Sequence, residues 1–191
     1  MSQERLFSGP FVLCTLSNLF QALSFNLFLH FPGYLKDLGA GELQIGLIFS
    51  LTAISAIAVR PTLGRVMDAR GRRGVILVGN ALNTAVMALY LTVDSIDAWI
   101  FVVRILHGLA EAMLFTALFT YAADCVPERR RNQGLMLFGV SGMLPIALSA
   151  IAGDEVPAAA DYTALFQVAL GFAAVAMLLS LPLPEMATNL K

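Results

Sequence analysis

The chain has 191 residues, of which 58% are hydrophobic and only 13% charged, and its mean hydropathy is +0.78. A soluble domain carries about 25% charged residues, and much of a small domain's surface stays wet, so a soluble core of this length cannot hide so large an apolar share. An ordinary soluble enzyme and a disordered chain are thereby excluded, and a net charge of −1 removes the positive field that a nucleic-acid binder uses.

Taken in chain order, six long apolar stretches predict an all-α membrane protein, a single transmembrane domain over residues 1–191. They lie at about 10–32, 43–64, 74–93, 98–123, 134–153 and 162–182. A hydrocarbon layer about 30 Å thick needs roughly 20 apolar residues in a helix. The runs are continuous rather than alternating, which favours helices over strands. In lipid a helix also satisfies its own backbone hydrogen bonds. The first stretch contains Asn18, Gln21 and Asn26 and ends without a small-residue cleavage site, so it reads as a retained helix, not a signal peptide.

The charges predict the topology. One set of connections carries Arg5, then Arg65, Arg70, Arg72 and Arg73, then Arg129, Arg130 and Arg131, then Lys191; the other carries Lys36 among Asp37, Glu42, Asp94, Asp97, Asp154, Glu155 and Asp161. Basic loops stay cytoplasmic, which puts both termini inside. Tyr34, Tyr90, Trp99 and Tyr162 then fall at outer helix ends and Tyr121 at an inner one, as an interfacial aromatic belt would. The stretches divide into two triplets, starting at about 10 and 98, a hydropathy pattern suggestive of an inverted repeat.

Residues 60–76, RPTLGRVMDARGRRGVI, form the expected connection between the second and third helices. Gly64 allows close approach of another helix, Pro61 loosens the last turn of the second helix, and Gly71 permits a tight reversal. Asp68 stands among five arginines. Arg72 and Arg73 open the third helix, where cations oppose the helix dipole, so acids or lipid headgroups must hold them. Taken alone, this is also a basic loop obeying the positive-inside rule.

Gly64-x-x-x-Asp68-x-x-Gly71-Arg72-Arg73 resembles the loop signature of the major facilitator superfamily, in the form seen in bacterial efflux permeases, with Ala69 where a basic residue is usual. Residues 34–47, Arg104-x-x-x-Gly108-x-x-x-Ala112 and residues 121–145 extend the resemblance over nearly the whole chain. The resemblance implies a cytoplasmic gate in which the Asp68 position meets a helix end of the other half. It also implies that Arg72 pairs with Asp124 and that Gly64 packs against the other half. The family has twelve helices in two halves with the substrate cavity between them. Six spans imply either a half that pairs with a copy of itself or with another chain, or a truncated product; a non-transporting assembly or regulatory partner in the membrane is the alternative.

Within the spans, Arg104 and Glu111 lie about 20° apart on one helical face, with Gly108 between them. Ionised groups at mid-membrane are costly and mark a wet cavity or a partner. The resemblance puts this helix and the first, with Asn18 and Gln21, on the substrate and coupling cavity. Glu111 is the candidate proton carrier; an Arg–Glu pair that fixes packing is the structural reading, and Arg104 snorkelling outward is a third. Asn80 and Asn83 read as packing contacts, and Gly142 and Pro145 as a packing and kink site on the fifth helix. Gly139-Val140-Ser141-Gly142 also matches the serine motif of rhomboid proteases, but the only histidines, His30 and His107, precede it, whereas that family's base follows. Cys14 and Cys125 lack metal-ligand spacing, and no P-loop, dinucleotide fingerprint or HExxH occurs. The sequence therefore predicts no enzyme, no metal and no cofactor. Its expected partners are a bacterial inner-membrane bilayer, a small-molecule solute and protons, and no nucleic acid.

Overall fold

The computed structural model describes residues 6–159 and 162–186, without the side chains of 152–159. Arg5, Asp161 and Lys191, and the side chains of Asp154 and Glu155, all counted in the charge pattern, lie outside what is described. The described residues form helices and no strand: α1 (Gly9–Asn26), a 3-10 turn (Leu27–His30), α2 (Phe31–Asp37), α3 (Glu42–Arg70), α4 (Arg73–Tyr90), α5 (Ala98–Cys125), α6 (Arg131–Ala159) and α7 (Tyr162–Ser180).

Local sequence sets the helix starts. Ser8 Oγ accepts from the Phe11 amide at 3.3 Å, with Pro10 in the first turn of α1. Gln44 Oε1 accepts from the Gly41 amide at 3.0 Å at the head of α3, and Asp97 Oδ1 accepts from the Trp99 amide at 2.8 Å at the head of α5. Five helical stretches are long and apolar enough to cross a membrane: Gly9–Asp37, Glu42–Arg70, Ala98–Cys125, Glu128–Ile151 and Tyr162–Ser180. The expected span at 74–93 is the 18-residue α4, which does not meet that standard; it carries Arg73, Asn80 and Asn83 and tucks between α5 and α7.

Two boundaries correct the expectation for 60–76. The helix continues through Pro61 to Arg70, so Gly64 and Asp68 ride its last two turns and only Gly71 and Arg72 make the reversal. Pro61, expected in the last turn, therefore lies more than two turns before the end of α3. The first helix breaks into α1, the 3-10 turn and α2.

The bundle is ordered by its contacts: α3 packs on α5, α1 on α7 and α6, and α4 on α5 and α7. In lipid, close packing of small residues and interhelical hydrogen bonds hold helices together, since tails and side chains are equally apolar. Gly108 is the clearest case, because a Cβ there would collide with the Thr52 backbone carbonyl and the Ser55 hydroxyl on α3. Ser17, Ser180 and Asn80 tie α1, α7 and α4 in one chain of 2.8 Å hydrogen bonds. One core cluster, around Phe11, Met67, Leu118 and Tyr121, lies toward the arginine-rich end; the other, around Phe31, Ile48, Tyr90 and Phe166, lies toward the acidic end.

The aromatic belt needs two corrections. Tyr90 is fully buried within the second cluster, and Tyr121 is fully buried in the first. Their hydroxyls have protein partners, as buried phenols require. Trp99 remains exposed, and Tyr34 is half-buried beside Tyr162, its hydroxyl donating to the Val93 carbonyl.

Candidate functional site

The reversal between α3 and α4 is built around Gly71, whose φ of 84° and ψ of 175° fall in a region essentially reserved for glycine. It brings Arg72 Nε to 3.0 Å from Asp124 Oδ2 at the end of α5. The segment after α7 lies across the same turn. Glu185 Oε1 accepts from the backbone amides of Arg72 (3.0 Å) and Arg73 (3.4 Å), placing an acid on the N-terminus of α4. Arg73 donates from Nε to the Leu183 carbonyl at 2.6 Å and from Nη2 to the Leu181 carbonyl at 3.2 Å; Tyr121 Oη donates to the Pro184 carbonyl at 2.8 Å. The cations that oppose the α4 dipole are thus held by protein groups.

Asp68 is exposed and makes no hydrogen bond or ion pair among the described residues. A Cβ on Gly64 would meet nothing within 4 Å, so the close helix approach expected there is not made within this chain. Gly64 and Asp68 therefore stand one turn apart with no partner in the described bundle.

Inside the bundle, Arg104 is 3% exposed and does not snorkel. Its Nε donates to the Ile48 carbonyl and its Nη1 to Tyr90 Oη, both at 3.3 Å. The guanidinium lies 4.6 Å from the Phe49 ring centroid and 5.2 Å from that of Phe31. Tyr90 Oη also bonds His107 Nδ1 at 2.9 Å, while His107 Nε2 is buried without a partner among the described residues. The only ion pairs within 4 Å among the described residues are Arg72–Asp124 and Lys36–Glu42. Arg104 and Glu111 share a cavity wall without pairing.

That wall belongs to two adjoining half-open cavities. The first, about 360 Å³, is lined by α1, the 3-10 turn, α3 and α5, including Asn26, Thr52, Arg60, Arg104 and Glu111. The second, about 380 Å³, is lined by α1, α5 and α6, including Asn18, Gln21, Phe115, Phe119, Phe138 and Met143. Phe25, Asn26 and Glu111 border both. Each volume falls in the range of small-molecule sites. Asn18 Nδ2 donates to Ser141 Oγ at 2.8 Å, whereas Gln21, 7% exposed, makes no hydrogen bond among the described residues. A Cβ on Gly142 would come 3.5 Å from Asn18 Nδ2, an ordinary contact; Pro145 is buried within α6, which runs on past it. No cluster of His, Cys, Asp and Glu suited to a metal occurs among the described residues.

Sequence reasoning singled out Arg72, Asp124, Arg104 and Glu111 but missed Glu185, Tyr90 as the Arg104 partner, and Arg60 as a cavity cation. For Glu185 a signal existed: an acid shortly after the last helix, opposite two arginines at a helix start.

A multi-pass helical membrane protein with a half-open, mainly apolar cavity carrying a few polar and charged side chains is the class this geometry defines. Residues 11–190 match the model of the Major Facilitator Superfamily, and the chain belongs to that family. It is 25% identical over 150 residues to the multidrug resistance protein MdtL of Klebsiella pneumoniae, covering 78% of this chain and 38% of that protein. It is 25% identical over 120 residues to the staphylopine export protein of Staphylococcus aureus, covering 63% of this chain and 29% of that protein. The fold matches the crystal structure of the human organic anion transporter MFSD10 (TETRAN) with a TM-score of 0.73 and 22% identity, over 99% of this chain and 51% of that one. The chain thus spans well under half the length of these curated relatives and about half of the solved transporter. Family membership and the long apolar helices make this chain a multi-pass integral membrane protein of a transporter family.

Proposed function

We propose that this chain is one six-helix half of a transporter that moves a small solute across the bacterial inner membrane by alternating access. In this reading α4 is the sixth span, the helices form two three-helix repeats, and both termini lie in the cytoplasm. The observation that carries the proposal is the half-open, mainly apolar cavity between α1, α3, α5 and α6 that nevertheless holds Arg104, Glu111, Asn18 and Gln21, on the same chain whose α3 ends in a Gly64 and Asp68 unpartnered among the described residues. A second half, from another copy or another six-helix segment, would close the cavity and receive Asp68 at a helix end. The Arg72–Asp124 pair would hold the arginine-rich end shut and break when that end opens, which gives the two states differential contacts. Glu111, bordering both cavities and without an ion pair within 4 Å among the described residues, is assigned the coupled proton.

The test is flux in proteoliposomes made from the complex extracted from native membrane, together with its mass. Solute movement driven by a pH gradient, reduced in both Asp68→Asn and Glu111→Gln, is expected from a complex containing two six-helix halves. A monomeric chain without flux would establish instead the non-transporting partner reading.

A further inference from the structure

We infer that Phe25 is a hinged wall between the two cavities and a closed polar site at His107, and that this site takes a hydrogen-bond acceptor oxygen on His107 Nε2. The site is a property of the bundle alone and depends neither on flux nor on a second half.

His107 is fully buried on α5 and lines neither cavity. Its Nδ1 lies 2.9 Å from Tyr90 Oη, which also accepts from Arg104 Nη1 at 3.3 Å. A guanidinium only donates, so it occupies a lone pair of the phenol oxygen and leaves the phenol proton in need of an acceptor. His107 Nδ1 is the acceptor in reach among the described residues, which puts the ring proton on Nε2. Nε2 has no hydrogen-bond partner among the described residues. A buried donor left without an acceptor is costly, so what surrounds it decides whether an acceptor can reach it.

Two rings lie edge-to-face with the imidazole. The Phe28 centroid is 4.9 Å from that of His107 and the Phe25 centroid 5.3 Å, at interplanar angles of 73° and 75°. Aromatic rings answer an N–H only weakly. Both rings belong to the wall of the first cavity, and Phe25 borders the second as well. They are held differently. Phe28 is packed among Phe31, Tyr90 and Phe166, at centroid distances of 5.5, 4.4 and 5.8 Å. Phe25 is half-buried, and His107 is its one ring contact among the described residues. Phe25 also stands one residue before the end of α1, where the helix gives way to the 3-10 turn, the kind of irregular backbone that hinges use. Turning Phe25 toward the space of the two cavities joins that space to His107. It exchanges a weak ring contact for a full N–H···O bond to the oxygen that enters. A ligand that gains a contact in only one of two states shifts the balance toward that state. Carbonyl, ether, sulfoxide and water oxygens share the required chemistry.

The chain has two histidines, so isotope labelling of histidine ring nitrogens gives two imidazole signals sets in magnetic resonance, and His107→Gln identifies the one from His107. The full chain is measured in zwitterionic nanodiscs with any partner chain retained. The probe is dimethyl sulfoxide, an acceptor with no donor, and its control is dimethyl sulfide, which lacks the oxygen. Without probe the proton should sit on Nε2, and Tyr90→Phe should lose that preference. Dimethyl sulfoxide should shift the Nε2 signal saturably in the unaltered chain. Phe25→Ala, which removes the wall, should lower the half-saturating concentration about tenfold, as expected when a state populated at roughly a tenth becomes the resting one. A proton on Nδ1 or the absence of a saturable shift in the unaltered chain overturns the inference without any variant. An equal shift with dimethyl sulfide, or the same half-saturation in Phe25→Ala, overturns it as well. Magnetisation transfer between water and Nε2 separates the sources of the oxygen. Transfer that is present before the probe and disappears on its binding supports water as the resting occupant, and no transfer supports an oxygen brought by a solute.

Discussion

Glu185 lies directly over Gly71, its carboxylate occupying the space a Cβ on that glycine would need while it accepts from the amides of Arg72 and Arg73. The turn that carries the family signature is therefore clasped by the segment that follows α7. Gly71→Ala meets two penalties at once, a backbone region worth about 1–3 kcal/mol in strain for a non-glycine residue and displacement of the Glu185 carboxylate. The expected outcome is a clear fall in the unfolding midpoint of the purified protein. Glu185→Gln keeps the shape and removes only the charge on the helix terminus, so it should cost about 0.3–1 kcal/mol. Equal losses in the two variants would show that the backbone conformation of Gly71 contributes nothing.

Arg72 and Asp124 form a partly exposed ion pair, with side chains 16% and 32% accessible. Exposed pairs contribute about 0.2–1 kcal/mol, so a double-mutant cycle of Arg72→Gln and Asp124→Asn should give a small coupling in unfolding experiments. If the pair latches the arginine-rich end, its loss acts on the balance of states instead. Alkylation of a cysteine placed at position 56, on the wall of the first cavity, should then speed up from the arginine-rich side in Asp124→Asn. Unchanged alkylation with a large stability loss would make the pair a packing feature.

Two glycines, Gly108 on α5 and Gly64 on α3, separate internal from external contacts. Gly108→Ala drives a methyl group into the Thr52 carbonyl, which is backbone and cannot swing away. Overpacking of this kind costs about 1–3 kcal/mol and should appear as loss of thermal stability. Gly64→Ala meets nothing within 4 Å and should change the stability of the isolated chain by less than about 0.5 kcal/mol. The same Gly64 substitution should lower the yield of the complex with a second half on size-exclusion chromatography. A destabilised isolated chain would place the contact surface of Gly64 within this bundle.

Much of this architecture is legible in the sequence, because long apolar runs with polar breaks leave helices as the only economical solution in lipid. What pattern reading misses is tertiary. Tyr90 reads as an interfacial tyrosine by position, yet Arg104 and His107 draw its hydroxyl inward. Glu185 looks like tail sequence until the fold carries residues 181–186 across the start of α4. The apolar span stops near 64, with Pro61 in its last turn, but a helix packed along α5 runs on to Arg70. On the cavity wall the periodicity of α5 correctly aligns Arg104 and Glu111, but hydrogen-bond partners on α3 and α4 decide that the two do not pair.

That last arrangement makes Arg104 specific for a guanidinium rather than for any cation. Its Nε and Nη1 reach two acceptors on different helices, Ile48 on α3 and Tyr90 on α4, while Phe31 and Phe49 flank its plane. Lysine retains the charge but has one nitrogen and no plane, so it cannot hold both acceptors and stack between rings. Arg104→Lys should therefore destabilise the protein by about 1–3 kcal/mol, the cost of leaving a buried polar partner unsatisfied. Adding Tyr90→Phe to Arg104→Lys removes the orphaned hydroxyl, so the double variant should be less destabilised than the sum of the singles. Thermal unfolding of the four proteins in one detergent measures this directly. Strict additivity would mean that Arg104 and Tyr90 do not act as a bonded pair.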